Sequence, residues 1–189
     1  AHERQAKVIV EQEMPGAFVC TSSDVANVLR EYERFSTAAM NAFVGPSTSY
    51  YLSNLQEKLV SQGYRANLRV IQSNGSISTV EACSQRAVTM LMSGPAGGVI
   101  GGKSEGLWCG TRNMITVDIG GTSADISTIP DGHIKIMNAR DSYVSGHPIL
   151  VPMIDLVTIG AGGGSIAYVD SAGGFHVGPR SAGADPGPA

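Results

Sequence analysis

The spacing of apolar residues changes along the chain. Up to residue 62 it is helical. Val25, Val28, Leu29, Tyr32 and Phe35 form one stripe, and Ser22 or Ser23 stands where it can cap the helix carrying them. Gly45-Pro46 punctuates that pattern. "GPSTSYYLSNLQEKLVSQG" then restarts it, with Leu52, Leu55 and Leu59 on one face and Gly63 at the close. These features predict a mainly helical part over residues 1–63. From residue 64 the apolar runs shorten and turn residues separate them. "LRVI" reads as a strand before the turn "QSNG", "TVEACSQR" as a short helix, and "AVTMLMS" as a further strand. "NMITVDI", "ADISTI" and "HIKIMNA" read as three strands joined by the tight turns "GGTS" and "PDG". After "PMIDLVTI" and "GAGGGS" comes a hairpin, "IAYVDSAGGFHVG". Residues 64–189 are therefore expected to form an αβ and β-meander part, and the whole an α/β fold.

Composition narrows the function classes. With 42% apolar residues in 189 the chain can bury a core, and its net charge of −3 gives no electrostatic reason to expect nucleic acid or an anionic membrane as partner. No apolar run reaches transmembrane length. Cys20, Cys83 and Cys109 are scattered without a C-x-x-C, which points to reduced thiols and a cytoplasmic protein. The sequence opens inside a helical pattern and stops in the loop-like "GADPGPA", so a segment of something longer is expected.

Two stretches compete as phosphate-binding motifs. "GGVIGGKS", Gly97 to Ser104, fits the P-loop pattern G-x-x-x-x-G-K-[ST]. A P-loop must be a loop that opens a helix after its Lys-Ser. Here Pro95 suits the first turn of a helix, which would place Gly97 to Lys103 inside it. The small residues then serve close packing, with Lys103 facing solvent or capping carbonyls. The other stretch is "VDIGGTSADISTI": strand, glycine turn, strand. Gly120 and Gly121 can take backbone angles closed to other residues and turn N–H groups toward an anion. Thr122 and Ser123 add hydroxyls. Asp118 and Asp125 flank the turn and can hold Mg²⁺, directly or through water, or orient a hydrolytic water. The plain alternative is an ordinary hairpin. "IGAGGGS", Ile159 to Ser165, fails G-x-G-x-x-G because Ser165 takes the last position, so a dinucleotide site is not indicated.

At these residues a resemblance emerges. "VDIGGTSADISTI" resembles a phosphate hairpin of the actin, sugar-kinase and heat-shock-chaperone ATPase superfamily (ribonuclease H-like lobes). "SGPAGGVIGG" resembles its connecting helix. "REYERFSTAAMNAFVGP", "QSNG", "LMSGPAGGVIGG", "VDIGGTSAD", "VPMIDLVTIGAGGGSIAYVD" and "VGPRSAGADPGPA" resemble, in order, the hydantoinase A/5-oxoprolinase family, which includes acetone and acetophenone carboxylase subunits. The resemblance implies ATP-driven, Mg²⁺-dependent ring opening of a hydantoin- or 5-oxoproline-like cyclic amide or imide. A ketone carboxylase subunit and a nucleotide-gated chaperone-like module are the alternatives. It further implies phosphate contacts from Gly120, Gly121, Thr122 and Ser123, metal and catalytic roles for Asp118 and Asp125, and a cleft lining from Gly162, Gly163, Gly164 and Ser165. The expected partners are the rest of the same polypeptide and a hydantoinase B-type subunit.

The family's usual first phosphate hairpin has no counterpart here, so the segment by itself is not expected to be an active enzyme. Val157 stands where many members carry His, and Ala124 where Thr is common. Four other places are weighed for the cleft: Arg34, Ser36 and Thr37 in "REYERFST", the turn Asn74-Gly75, His147 in "SGHPILVP", and Asp155, whose charge needs a partner in so apolar a stretch.

Overall fold

The computed structural model describes residues 2–183, 185 and 187; Ala1 and the last part of "GADPGPA" lie outside them. The chain divides into two compact units, residues 1–96 with 136–154, and residues 97–135 with 155–189.

The first unit holds α1 (His2–Glu13), α2 (Ser22–Val25), α3 (Glu31–Ser61), β1 (Arg69–Ile71), β2 (Ile77–Thr79), α4 (Val80–Gln85) and the first turn of α5 (Ser93–Trp108). Its core gathers Val25, Val88, Ile149, Val151 and Met153, with Cys20, Met40, Leu91, Met137 and Val144 packed against it. The expected helix break at Gly45-Pro46 does not occur: α3 runs 31 residues through Pro46. Gly45 serves packing instead, because a β-carbon there would lie 2.3 Å from the Phe18 ring. Of the expected apolar stripe only Val25 is buried; Leu29 is 91% and Tyr32 70% exposed. The buried positions of α3 are Thr37, Asn41, Gly45 and Leu52, at helical spacing, with Leu52, Leu55 and Leu59 buried or half-buried as read. Thr37 Oγ1 donates to the Glu33 carbonyl and accepts from Leu150 N–H at 2.8 Å. Asn41 donates to the Gln85 carbonyl and accepts from Val88 N–H, 3.1 Å each. Thr21, not Ser22 or Ser23, caps α2.

"AVTMLMS" is no strand. Residues Ala87–Met90 make a turn of 3-10 helix, since Asn41 holds Val88 and the Ser73 N–H and hydroxyl both donate to the Thr89 carbonyl. A short buried apolar run does not distinguish these outcomes by pattern alone. "LRVI", "TVEACSQR" and the Asn74-Gly75 turn form as read; Gly75 has φ +80°.

The second unit carries β3 (Met114–Ile119) and β4 (Ala124–Ile129). After these come β5 (Ile136–Met137), β6 (Tyr143–Val144), β7 (His147–Pro148) and β8 (Met153–Ile154), which belong to the first unit, then β9 (Val157–Ile159), β10 (Ser165–Val169) and β11 (Phe175–Ser181). The strands do not form a consecutive meander. β3, β4 and β9 make one antiparallel sheet, β5 pairs β8, and β10–β11 is a hairpin. The third strand of the main sheet thus comes from "VTI", not from "HIKIMNA".

Helix α5 carries "GGVIGGKS" in its middle and continues through Gly106 to Trp108, so Lys103 is a mid-helix residue and the P-loop reading fails. The glycines form a stripe at i, i+4 and i+8 against alternate residues of β3. A β-carbon at Gly98 would lie 3.7 Å from Asp118 Oδ2. One at Gly102 would lie 2.6 Å from Thr116 Cγ2, and one at Gly106 1.8 Å from Met114 Sδ.

One prediction follows from this packing and a second from the contacts of α1. Gly101, with nothing within 4 Å of its β-position, gains helix propensity as Ala, about 0.5–1 kcal/mol. Gly102→Ala drives a methyl into the stiff β-branched Thr116, where overpacking costs about 1–3 kcal/mol. Urea melts should therefore show Gly101→Ala above wild type and Gly102→Ala below it; equal midpoints would contradict the packing. The second concerns Glu3. Its carboxylate accepts from Ser22 Oγ at 2.7 Å, Ser23 N at 3.0 Å and Ser23 Oγ at 3.1 Å, beside Arg34 at 3.6 Å. These donors, Ser22 first, hold it down at about 2 from an ordinary 4.5. A depressed carboxyl stabilises above its unfolded value and loses that contribution as pH falls. The difference in melting temperature between wild type and Glu3→Gln should be constant above pH 5, shrink below about 4.5 and vanish near 2.

Candidate functional site

The turn between β3 and β4 is closed by a 2.9 Å bond from Gly120 N–H to the Ser123 carbonyl. Among the described residues, no hydrogen bond uses the N–H of Gly121, Thr122 or Ser123. Gly121 and Thr122 are exposed, while Ser123 is half-buried with its backbone N against Gly162. The glycines do not serve the purpose expected of them. Neither Gly120 nor Gly121 has a φ in the left-handed region, and neither do Gly162, Gly163 and Gly164.

What these glycines provide is room. The loop 160–165 lies directly on the turn, backbone against backbone. Gly163 N–H donates to the Gly120 carbonyl at 2.9 Å and Gly164 N–H to the Gly121 carbonyl at 2.7 Å. A β-carbon at Gly162 would stand 2.6 Å from Gly120 O and 2.7 Å from Ser123 N; one at Gly164 would stand 2.9 Å from Gly121 O. The loop is also held on its far side, where Ala182 N–H donates to the Gly164 carbonyl at 2.7 Å. Ser165 ties the loop to itself: its hydroxyl accepts from Gly162 N–H at 2.8 Å, and its own N–H donates to the Gly162 carbonyl at 3.0 Å. The structure thus brings the two glycine stretches, Gly120–Ser123 and Gly162–Ser165, into one constellation.

Asp118 and Asp125 are opposite one another across β3 and β4. Side chains alternate along strands, so this register puts both carboxylates on one face, shared with Thr116, Ser127 and Thr158. Val157 pairs with Ile126 and lies on the other face. A His at 157 would therefore not meet these carboxylates within the sheet. Thr158, which the sequence did not single out, opposes Asp125, and its hydroxyl donates to Asp125 Oδ1. The β9 pairing would have exposed it, but "VTI" carries no signal naming its partner strand.

Of the remaining candidates, Asp155, Arg34, Thr37 and Asn74 have structural partners. Asp155 Oδ2 lies 2.7 Å from Lys135 Nζ, and that carboxylate raises the Lys135 pKa. Arg34 meets Glu3, and Thr37 bridges to Leu150. Arg34, Ser36, Thr37, Asn74, Gly75 and His147 all belong to the first unit, and the glycine stretches to the second. All three cysteines are free thiols. No helix among the described residues is long and apolar enough to cross a membrane.

Residues 34–189 match the Hydantoinase/oxoprolinase family model. The chain is 40% identical to caprolactamase subunit alpha of Pseudomonas jessenii, over 100% of this chain and 27% of that protein. It is 34% identical to 5-oxoprolinase of Saccharomyces cerevisiae, over 100% of this chain and 14% of that protein. Among solved structures, nucleotide-free acetone carboxylase, described for ATP-dependent acetone carboxylation, aligns with TM-score 0.81 at 29% identity over 96% of this chain and 26% of that one. The ATP-dependent caprolactamase of Pseudomonas jessenii aligns with TM-score 0.76 at 39% identity over 99% and 27%. The chain spans between 14% and 27% of the length of these relatives. With its glycine turn, its opposed aspartates and a family match over most of its length, the chain belongs to the hydantoinase/oxoprolinase family.

Proposed function

We propose that the chain is the segment of an ATP-dependent, ring-opening cyclic-amide hydrolase that holds one phosphate-binding hairpin. The lobe is read as actin-like, with 1–63 its helical part and 64–189 its phosphate-binding part. The observation carrying the proposal is the turn Gly120–Ser123, in which the N–H groups of Gly121, Thr122 and Ser123 have no hydrogen-bond partner among the described residues, flanked by two carboxylates and buttressed by a second glycine loop. Thr122, Ser123 and the turn N–H groups donate to phosphoryl oxygens; such transfer is largely positioning and charge stabilisation. Gly162, Gly163, Gly164 and Ser165 keep the turn in place and let the nucleotide approach bare backbone.

Asp118 and Asp125 suit Mg²⁺. Two carboxylates opposed on one sheet face repel, and a divalent cation relieves that. No cluster of three or more His, Cys, Asp or Glu side chains is found among the described residues. Mg²⁺ does not need one, since it takes one or two carboxylates plus phosphate oxygens and water. Bound there, Mg²⁺ would neutralise charge on the β- and γ-phosphoryl oxygens. The two aspartates would hold it, directly or through water, and would orient the attacking water.

Transfer of the γ-phosphoryl from ATP to the amide oxygen, releasing ADP, makes the ring carbon a better electrophile; water then adds at that carbon, the C–N bond breaks with the nitrogen taking a proton, and phosphate leaves. The 40% identity to a caprolactamase subunit favours a lactam or related cyclic amide as substrate. Ketone carboxylation is the second reading, favoured by the TM-score of 0.81 to acetone carboxylase. The remainder of the polypeptide and a hydantoinase B-type subunit complete the site, in a cytoplasmic enzyme.

In the full-length polypeptide, Asp118→Ala and Thr122→Ala should each lower ATP turnover, about 10²–10³-fold for a lost charge-stabilising contact. Lys103→Ala, in mid-helix, should stay within about twofold, unlike the loss of a phosphate-contacting P-loop lysine. Unchanged turnover in both hairpin variants would sink the assignment. ATP use that rises with a cyclic amide supports ring opening; use that requires bicarbonate and a ketone selects the carboxylase.

A further inference from the structure

Asp125 sits between two strands, opposite Asp118 on β3 and Thr158 on β9. The Thr158 hydroxyl donates to Asp125 Oδ1, while Oδ2 has no hydrogen-bond or ion-pair partner among the described residues. The geometry points to Thr158 as a positioning residue: by tying down Oδ1 it fixes the Asp125 carboxylate so that Oδ2 stays available to a divalent cation on the face shared with Asp118. This rests on the reading of the two aspartates as the Mg²⁺ site.

The physical grounds are threefold. An unrestrained carboxylate opposite a like charge rotates away from it, whereas a hydroxyl donor on the far strand removes that freedom. Hydrogen bonds to a charged acceptor are stronger than neutral ones, so the tie is worth keeping even at a half-exposed position. Thr is β-branched and stiff at χ1 within a strand, so its hydroxyl stays aimed once the register is set. Val157, one residue earlier, points to the opposite face and cannot replace it.

The test uses Mn²⁺ as the probe. Its binding to the full-length polypeptide is titrated by electron paramagnetic resonance with a non-hydrolysable ATP analogue present. Losing a group that orients a metal-binding carboxylate weakens affinity about 10–100-fold, so Thr158→Val should do so. Thr158→Ser, which keeps the hydroxyl, should bind near wild type, and Val157→Thr should leave binding unchanged. If Thr158→Val fails to fold, Thr158→Ala is measured in its place. If Asp125→Ala weakens Mn²⁺ binding and neither Thr158 variant lacking the hydroxyl does, the positioning role is wrong and the metal site stands. If Asp125→Ala itself binds Mn²⁺ as wild type, the metal reading and the Thr158 role fall together.

Discussion

The second unit depends on bare backbone meeting bare backbone. The turn at 120–123 accepts two N–H groups from the loop at 162–165, so close that a single β-carbon at Gly162 would overlap the turn. Side chains cannot mediate such a contact, and it explains why both segments are rich in glycine without any of these glycines needing a left-handed φ. The loop satisfies two of the turn's carbonyls, and among the described residues no hydrogen bond uses the N–H groups of Gly121, Thr122 or Ser123. If the turn binds phosphate as proposed, its donors would be arranged before the ligand arrives, which is where electrostatic stabilisation gains most.

The same economy of side chains recurs in α5. Glycine is a poor helix former, yet Gly98, Gly102 and Gly106 bring the helix onto the Asp118, Thr116 and Met114 face of β3. That face also carries Asp125 and Thr158. Helix and sheet are thus packed through the very face on which the two carboxylates stand, and the register of β3, β4 and β9 determines which residues can share it.

Motifs were more legible than topology. The helix around "GGVIGGKS" could be read from Pro95 and the density of small residues, and "DIGGTSAD" reads directly as strand, turn, strand. The long helix α3 was misread because its buried stripe is Thr37, Asn41 and Gly45: polar and small residues whose burial depends on partners at Gln85, Val88, Leu150 and Phe18, distant in sequence. The strand expected at 87–93 gave way to a 3-10 turn at 87–90 for the same reason. β9 shows a further limit. "VTI" is visibly strand-like, but only the pairing register reveals that Thr158 rather than Val157 faces Asp125. The contact between the two glycine stretches, about forty residues apart, left a trace in composition and none in spacing.

The most direct test of this backbone contact compares two adjacent substitutions in the full-length polypeptide, reading the dissociation constant of a non-hydrolysable ATP analogue by calorimetry. A β-carbon at Gly163 meets Gly120 O at 3.7 Å, an ordinary contact, whereas one at Gly162 meets it at 2.6 Å. Gly162→Ala should therefore displace the turn and weaken binding at least about tenfold, a change of 1.4 kcal/mol or more, with Gly163→Ala close to wild type. Equal binding by both variants and the wild type would show that the loop does not hold the turn for its ligand.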